Sequence, residues 1–211
     1  NEAQSWRQGW LLPIDKLPPG YELEDILPTV RSSLTVGGKL YALPFYAESS
    51  MTYYRRDLFQ QAGLVMPARP SVNDIRRFAQ ALHRPEKQQY GICLRGKPGW
   101  GENMALIGTL INTFGGRWFT PRWEPEIDSP EWANAINWYV DVLGSYGPPD
   151  AVRTSFNENL RLFADGHCAM WIDATVAAGS LFNPKESKVA ASLGFAAAPT
   201  AVTPKGSHWL W

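Results

Sequence analysis

The sequence predicts an α/β fold, and three observations carry that expectation. Short apolar runs of strand character alternate with stretches whose apolar residues recur every three to four positions, the pattern of strands packed against helices. The helical stretches carry their own boundary signals, serine caps at their starts and glycines at their ends. The chain has 211 residues, enough for one large domain or two lobes with a sizeable core.

Taken in order, residues 1–23 are rich in Pro, Gly and Trp and read as loop. A short helix over 23–33 is expected to be interrupted by Pro28. Val36 to Leu40 reads as a hairpin turn with Gly37 and Gly38 at its tip. Leu40–Phe45 and Met51–Arg55 read as strands, and Asp57–Gly63 as a short helix closed by Gly63. Ser71 opens a helix to about His83, with Asp74 three residues on and an apolar face of Ile75, Phe78, Ala79 and Leu82. Tyr90–Leu94 is an expected strand. A glycine-rich loop then leads into a helix from about Glu102 to Phe114, stopped by Gly115. Ser129-Pro130 sets a cap before a proline at the first helical position, and Gly144 is the expected stop. Ser155 and Glu158 form a capping box for a helix ending near Gly166. Cys168–Asp173 is a strand, Thr175–Phe182 is helical, and Leu193–Ala197 is a strand. The alternation leads us to expect a mostly parallel sheet flanked by helices, preceded by an incomplete appendage over residues 1–45.

Composition narrows the function classes. Lys+Arg and Asp+Glu are 20 each, so the formal net charge is zero. A nucleic-acid or membrane-surface binder would show a basic excess. No apolar run is long enough to span a bilayer. Cys93 and Cys168 form neither a metal-type pair nor a CxxC motif, and their spacing leaves open whether they pair. No P-loop, nucleophile elbow or HExxH spacing occurs, and no motif implies a cofactor. The 10 tryptophans against 4 methionines are unusual. They either fill a core or face a ligand, since flat rings bind apolar CH faces while polar neighbours fix orientation. Residue 1 is Asn, and His208-Trp209-Leu210-Trp211 stops inside a strand-like run, so a fragment is expected.

Residues 43–59, LPFYAESSMTYYRRDLF, place one acid and two serines inside an apolar, aromatic run. A lone carboxylate in an apolar strand is costly without a partner. Glu48 is therefore either a hydroxyl acceptor with Tyr46 and Ser49 beside it, or a structural residue exposed at a strand end or paired with Arg55 or Arg56. The loop Arg95-Gly96-Lys97-Pro98-Gly99-Trp100-Gly101 stands between an expected strand and an expected helix. Ligands of α/β sheets sit beyond the carboxyl ends of strands, so Arg95 is expected to donate in a fork and Trp100 to stack on a ligand. The alternative is an ordinary connecting loop. Asp173 holds the same kind of position, as ligand contact or as the N-cap of the next helix. Trp171 is a ligand contact or a core ring. Glu48 and Asp173 could also form a glycosidase pair, since glycoside hydrolysis needs two carboxylates at a defined separation.

The chain resembles the extracellular solute-binding proteins of carbohydrate ABC importers, the maltose-binding-protein-like family 1, and looks nearest to the sugar-alcohol (sorbitol/mannitol) binders. The stretches that carry the resemblance are GKLYALPF at 38–45, YYRRDLF at 53–59 with AGL at 62–64, FADGHCAMWIDAT at 163–175, and GSHWLW at 206–211. The resemblance implies a type II periplasmic-binding-protein-like fold, here mostly the second lobe with part of the first. Residues 1–45 are then the tail of the first lobe, 46–205 the second lobe, and 206–211 the start of a crossing back. It implies a protein that captures a polyol or small sugar in an interlobe cleft and delivers it to membrane permease subunits. It further implies a monomer that is periplasmic or lipid-anchored and extracellular, with no catalytic residue, metal or nucleic-acid partner. On this mapping Glu48 falls at the first crossover, Trp100, Asn103 and Asp173 reach in from the second lobe, and His208 and Trp209 fall at the second crossover. The runner-up is a carbohydrate-active hydrolase using Glu48 and Asp173.

Overall fold

A computed structural model describes residues 8–45 and 47–210. The chain divides into two compact units, Asn1–Glu48 with His208–Trp211, and Ser49–Ser207. It passes from the first unit to the second along a strand and returns at His208.

The first unit holds a 3-10 turn at Leu23–Asp25, helix α1 at Pro28–Ser33, and strands β1 (Thr35–Val36) and β2 (Lys39–Leu40). The helix expected over 23–33 is divided near Pro28, which begins the second part, because the missing N–H of a first helical residue costs nothing. β1 and β2 pair antiparallel across Gly37 and Gly38, both at positive φ (58° and 77°). That backbone matches the twist of a two-residue hairpin and is open to glycine without penalty. The strand expected over Leu40–Phe45 ends at Leu40. Val30 and Leu34 are buried.

β3, Ala47–Arg55, enters the second unit at Ser49 and is flanked there by β4 (Met170–Ala174) and β5 (Leu193–Ala197) in the order β4-β3-β5. β6, His208–Leu210, also pairs with β3. Both flanking strands run antiparallel to β3, with Met51 opposite Asp173 and Ala197. The expectation of a mostly parallel sheet is thus corrected. Parallel neighbours occur as isolated bridges, Tyr90↔Cys168, Cys93↔Trp171 and Ser71↔Thr200. Residues 90–94 therefore lie along β4 without forming a strand of their own.

The helices are α2 (Arg56–Gln61), α3 (Val72–Leu82), α4 (Asn103–Phe114), α5 (Pro130–Tyr146), α6 (Phe156–Ala164) and α7 (Ala178–Leu181), the last preceded by a 3-10 turn at Thr175–Ala177. α3 and α6 start in the expected capping boxes. Ser71 Oγ accepts from Asp74 N at 3.0 Å and Asp74 Oδ2 accepts from Ser71 N at 3.0 Å, while Ser155 N donates to Glu158 Oε2 at 2.9 Å. α5 runs through Gly144, where a side chain would meet open space, and ends at Gly147, whose N–H bonds Leu143 O.

β4 is buried on both faces, so it reads as a continuous apolar run and not as an alternation. Its side chains still alternate between two core clusters. Met170 and Ile172 join Ile75, Phe78, Leu110 and Val142 of α3, α4 and α5. Trp171 joins Tyr53, Phe163, Leu181 and the cysteines. Cys93 and Cys168 form a disulfide, with Cα atoms 5.8 Å apart across 75 residues of sequence. The pairing left open by spacing is decided by residues 90–94 lying against β4.

Candidate functional site

The candidate site of the second unit is the loop over residues 95–103. Residues 90–94 run beside residues 167–170, which lead into β4, through three backbone hydrogen bonds, Tyr90 N to His167 O, Ala169 N to Tyr90 O and Cys93 N to Met170 O, at 2.7–2.8 Å. One step beyond Leu94, Arg95 meets Asp173 at the end of β4. Arg95 Nε donates to Asp173 Oδ1 and Oδ2 at 3.1 and 2.9 Å, and Nη2 donates to Oδ1 at 2.6 Å. Asp173 takes two further donors, Trp171 Nε1 at 3.1 Å and Ala174 N at 2.7 Å. The side chains are 11% and 2% exposed, which makes this a buried, forked ion pair. Burying either charge alone would be costly, and each makes the other's burial tolerable.

The guanidinium also reaches forward. Nη1 donates to Gly101 O at 2.6 Å, and the group lies 5.2 Å from the centre of the Phe156 ring. Tyr139 Oη donates to Arg95 O at 2.7 Å. Burial pushes the Tyr139 hydroxyl above its ordinary pKa, and a hydrogen bond with Asn103 opposes that shift. Gly96 and Lys97 both donate backbone N–H to Thr154 O at 3.0 Å. A Cβ at Gly96 would stand 2.1 Å from Ala151 O, so the close approach there requires glycine. At the far end, Asn103 N donates to Lys97 O at 3.1 Å, and Asn103 Oδ1 accepts from Gly99 N at 3.2 Å. The result is a loop bound at both ends, with Trp100 at its tip and 72% exposed. A rigid base carrying an exposed indole suits recognition of a CH-rich face, because little conformational entropy is lost on binding.

Several expectations are revised by this geometry. Arg95 forms the expected fork, but its partner is Asp173. Asp173 caps no helix, the cap of the following turn being Ala174, and its two oxygens hold the clamp. Trp171 is fully buried. Its Nε1 bonds Asp173 while its ring is enclosed by Tyr53, Phe163 and Leu181 of the second core cluster. The glycosidase reading also loses its second carboxylate, since both Asp173 oxygens accept from Arg95, Trp171 and Ala174.

Glu48 lies on β3 in the first unit and is 7% exposed, which excludes a solvent-facing strand end. Arg55 forks onto Asp57 at 2.8 and 2.5 Å, and Arg56 donates to Ala191 O, so both arginines have the partners named here. Ser49 is exposed, and its N–H donates to Thr175 Oγ1 at 3.4 Å. Tyr46 and the side chains of His208 and Trp209 lie outside the described residues.

Two features were passed over by sequence reasoning. The polar face of α4 ties down chain at both ends of the second unit. Thr109 Oγ1 bonds Ser50 Oγ at 2.7 Å, and Asn112 Nδ2 donates to Gly206 O at 2.9 Å. The spacing of Thr109 and Asn112 on one helical face was the available signal. An open cavity of about 620 Å³ is lined by Trp118, Phe119, Trp123, Arg117, Thr203 and Lys205, none of them in the 95–103 loop. The run RWFTPRW was its signal. Among the described residues, no group of three or more His, Cys, Asp or Glu could hold a metal ion.

The four-stranded sheet flanked by helices is that of the type II periplasmic solute-binding class, the fold of the structural neighbours. The chain belongs to the bacterial extracellular solute-binding protein family, whose sequence model matches residues 3–211. It is 57% identical over 211 residues to a mannitol-binding protein of Pseudomonas aeruginosa, covering 100% of this chain and 48% of that protein. A crystal structure of an ABC transporter solute-binding protein from Agrobacterium vitis with bound D-mannitol superposes with a TM-score of 0.89 at 53% identity, covering 99% of this chain and 50% of that one. A second, from Agrobacterium radiobacter in complex with ribitol, gives 0.78 at 27% identity, covering 98% and 49%. The chain thus spans about half the length of the relatives it matches. These relatives are binding proteins, and none supports the hydrolase alternative.

Proposed function

We propose that the full-length protein is the substrate-binding component of a carbohydrate ABC importer, and that it captures a sugar alcohol, D-mannitol or a close hexitol. The observation that carries this reading is the 57% identity to a mannitol-binding protein along the whole of this chain. The structural match at 53% identity to a protein holding D-mannitol supports it. The second unit, Ser49–Ser207, is taken as most of one lobe, and the residues before it as part of the other. In this reading Trp100 covers a CH face of the polyol and Asn103 meets its hydroxyls. Arg95 and Asp173 act one layer back and hold the loop in place. Glu48, Tyr46, Ser49, His208 and Trp209 complete the proposed contacts, with Glu48 accepting from hydroxyls. The protein returns its ligand unchanged and passes it to the permease subunits. It works as a monomer, periplasmic or lipid-anchored and extracellular. The buried disulfide supports that placement, since such bonds persist in oxidising compartments.

Titration calorimetry of the full-length protein against D-mannitol, D-sorbitol, ribitol and maltose tests the reading. Binding of a hexitol well ahead of maltose is expected. Absence of heat with every polyol, or release of product from a glycoside, overturns it.

A further inference from the structure

We propose that the Cys93–Cys168 disulfide is a positioning device for the polyol-binding loop, so that removing the bond weakens polyol affinity in a protein that remains folded. This rests on polyol binding as proposed above and goes beyond it in assigning the two cysteines a part in the site.

The two arms of the clamp are held differently. β4, the arm that carries Asp173, is paired to β3 over five residues, Ser50–Tyr54 against Met170–Ala174. Its place does not depend on the disulfide. The other arm, residues 90–94, has no such ladder. It meets β4 at one isolated bridge, Cys93↔Trp171, and the residues just before β4 at another, Tyr90↔Cys168, and its backbone bonds are few: three to residues 167–170, Ile92 N to Tyr146 O at 3.2 Å and Gly91 N to His83 Nδ1 at 3.2 Å. Ile92 and Leu94 are fully buried in the first core cluster. Apolar burial is non-directional, however, and does not by itself fix how far a segment slides along its neighbour.

The scattered hydrogen bonds set a register, and the disulfide adds the one covalent constraint that holds it. Cys93 sits directly against Trp171 of β4, and its bond to Cys168 ties the segment to the chain two residues before the strand begins. Arg95 follows two residues later and must arrive beside Asp173 for its fork to close, with contacts of 2.6–3.1 Å. Hydrogen bonds of that length tolerate displacements of only a few tenths of an ångström. Gly96 and Lys97, which donate to Thr154 O, come next, and the exposed Trp100 lies beyond them. A shift at Cys93 is thus passed to the clamp, to the loop base and to the indole in turn. When only a fraction of molecules hold the loop in its binding arrangement, the apparent dissociation constant rises by the inverse of that fraction.

The experiment uses the full-length protein carrying Cys93→Ala with Cys168→Ala, titrated with D-mannitol well below its melting temperature. Affinity is expected to fall by about tenfold, as for a loop ordered in about one molecule in ten. Hydrogen exchange should quicken at the amides of Gly96 and Lys97 while those of β3 and β4 keep their protection. A purely structural bond would lower the melting temperature but move neither reading at a temperature where both proteins are folded. If the double alanine variant does not fold, Cys93→Ala with Cys168→Val, which restores packing volume, carries the test. Affinity within twofold of wild type, unchanged exchange at Gly96 and Lys97, or failure of both variants to fold overturns the positioning role. A wild-type protein that binds no polyol overturns the functional reading beneath it instead, so the two failures are distinguishable.

Discussion

Replacing Trp100 by alanine separates a ligand-facing indole from a core ring. Trp100 is 72% exposed, so roughly a quarter of its surface is covered by the protein. A fully buried Trp costs about 3–5 kcal/mol on truncation to alanine, which scales to about 1 kcal/mol here. For a unit of this size that corresponds to a loss of about 2–4 °C in melting temperature. The cost to binding is larger. A Trp side chain offers about 150–250 Å², and a polyol lying on one face withdraws on the order of 60 Å² from water. At about 25 cal/mol per Å² this amounts to about 1.5 kcal/mol, or about tenfold in affinity. Calorimetric titration with D-mannitol and thermal unfolding, run on one preparation of the full-length variant, give both quantities. An affinity within twofold of wild type refutes the stacking role. So does a fall of more than about 8 °C with normal binding by the protein that remains folded, since that pattern belongs to a core residue.

Three further outcomes are expected. Glu48→Gln in the full-length protein should weaken polyol binding by more than about tenfold, because a charge-assisted hydrogen bond is worth about 1.5–3 kcal/mol; unchanged affinity by titration would make Glu48 a structural residue. Asp173→Asn leaves the guanidinium of Arg95, 11% exposed, without its counter-charge, and should cost about 3–5 kcal/mol in urea unfolding; a loss below about 1 kcal/mol would show that the clamp does not hold the loop. The Asp74 carboxyl is held below its ordinary pKa of 3.8 by the Ser71 backbone N–H and then by Arg77. A depressed carboxyl contributes stability above its unfolded pKa and loses it as pH falls through the folded value. The wild-type advantage over Asp74→Asn should thus be about 0.5–1 kcal/mol near pH 6, after discounting for solvent screening of a partly exposed cap, and should be smaller at about pH 3. Urea midpoints at the two pH values check this, and an advantage undiminished in acid contradicts it.

The features legible in the sequence are those whose partners lie within a few residues. The capping boxes Ser71–Asp74 and Ser155–Glu158 close over three residues, and the Gly37-Gly38 hairpin needs only its own two left-handed residues, so each could be read from local chemistry. The charge-free run before Asp173 marked β4 as a strand, and its burial on both faces is the reason. The exposed Trp100 was legible as well, because the glycines and proline around it make a poor core segment. Strand direction was not, since β3 pairs antiparallel with strands more than a hundred residues away and nothing local states which way they run. The pairing of Arg95 with Asp173 was hidden for the same reason. Each looked like a residue offered to a ligand, and only the approach of residues 90–94 to β4, across 78 positions, turned them toward each other. Trp171 was ambiguous because a residue's place on a strand tells which neighbours share its face, while the helices packed on that face decide whether water or a ligand can reach it.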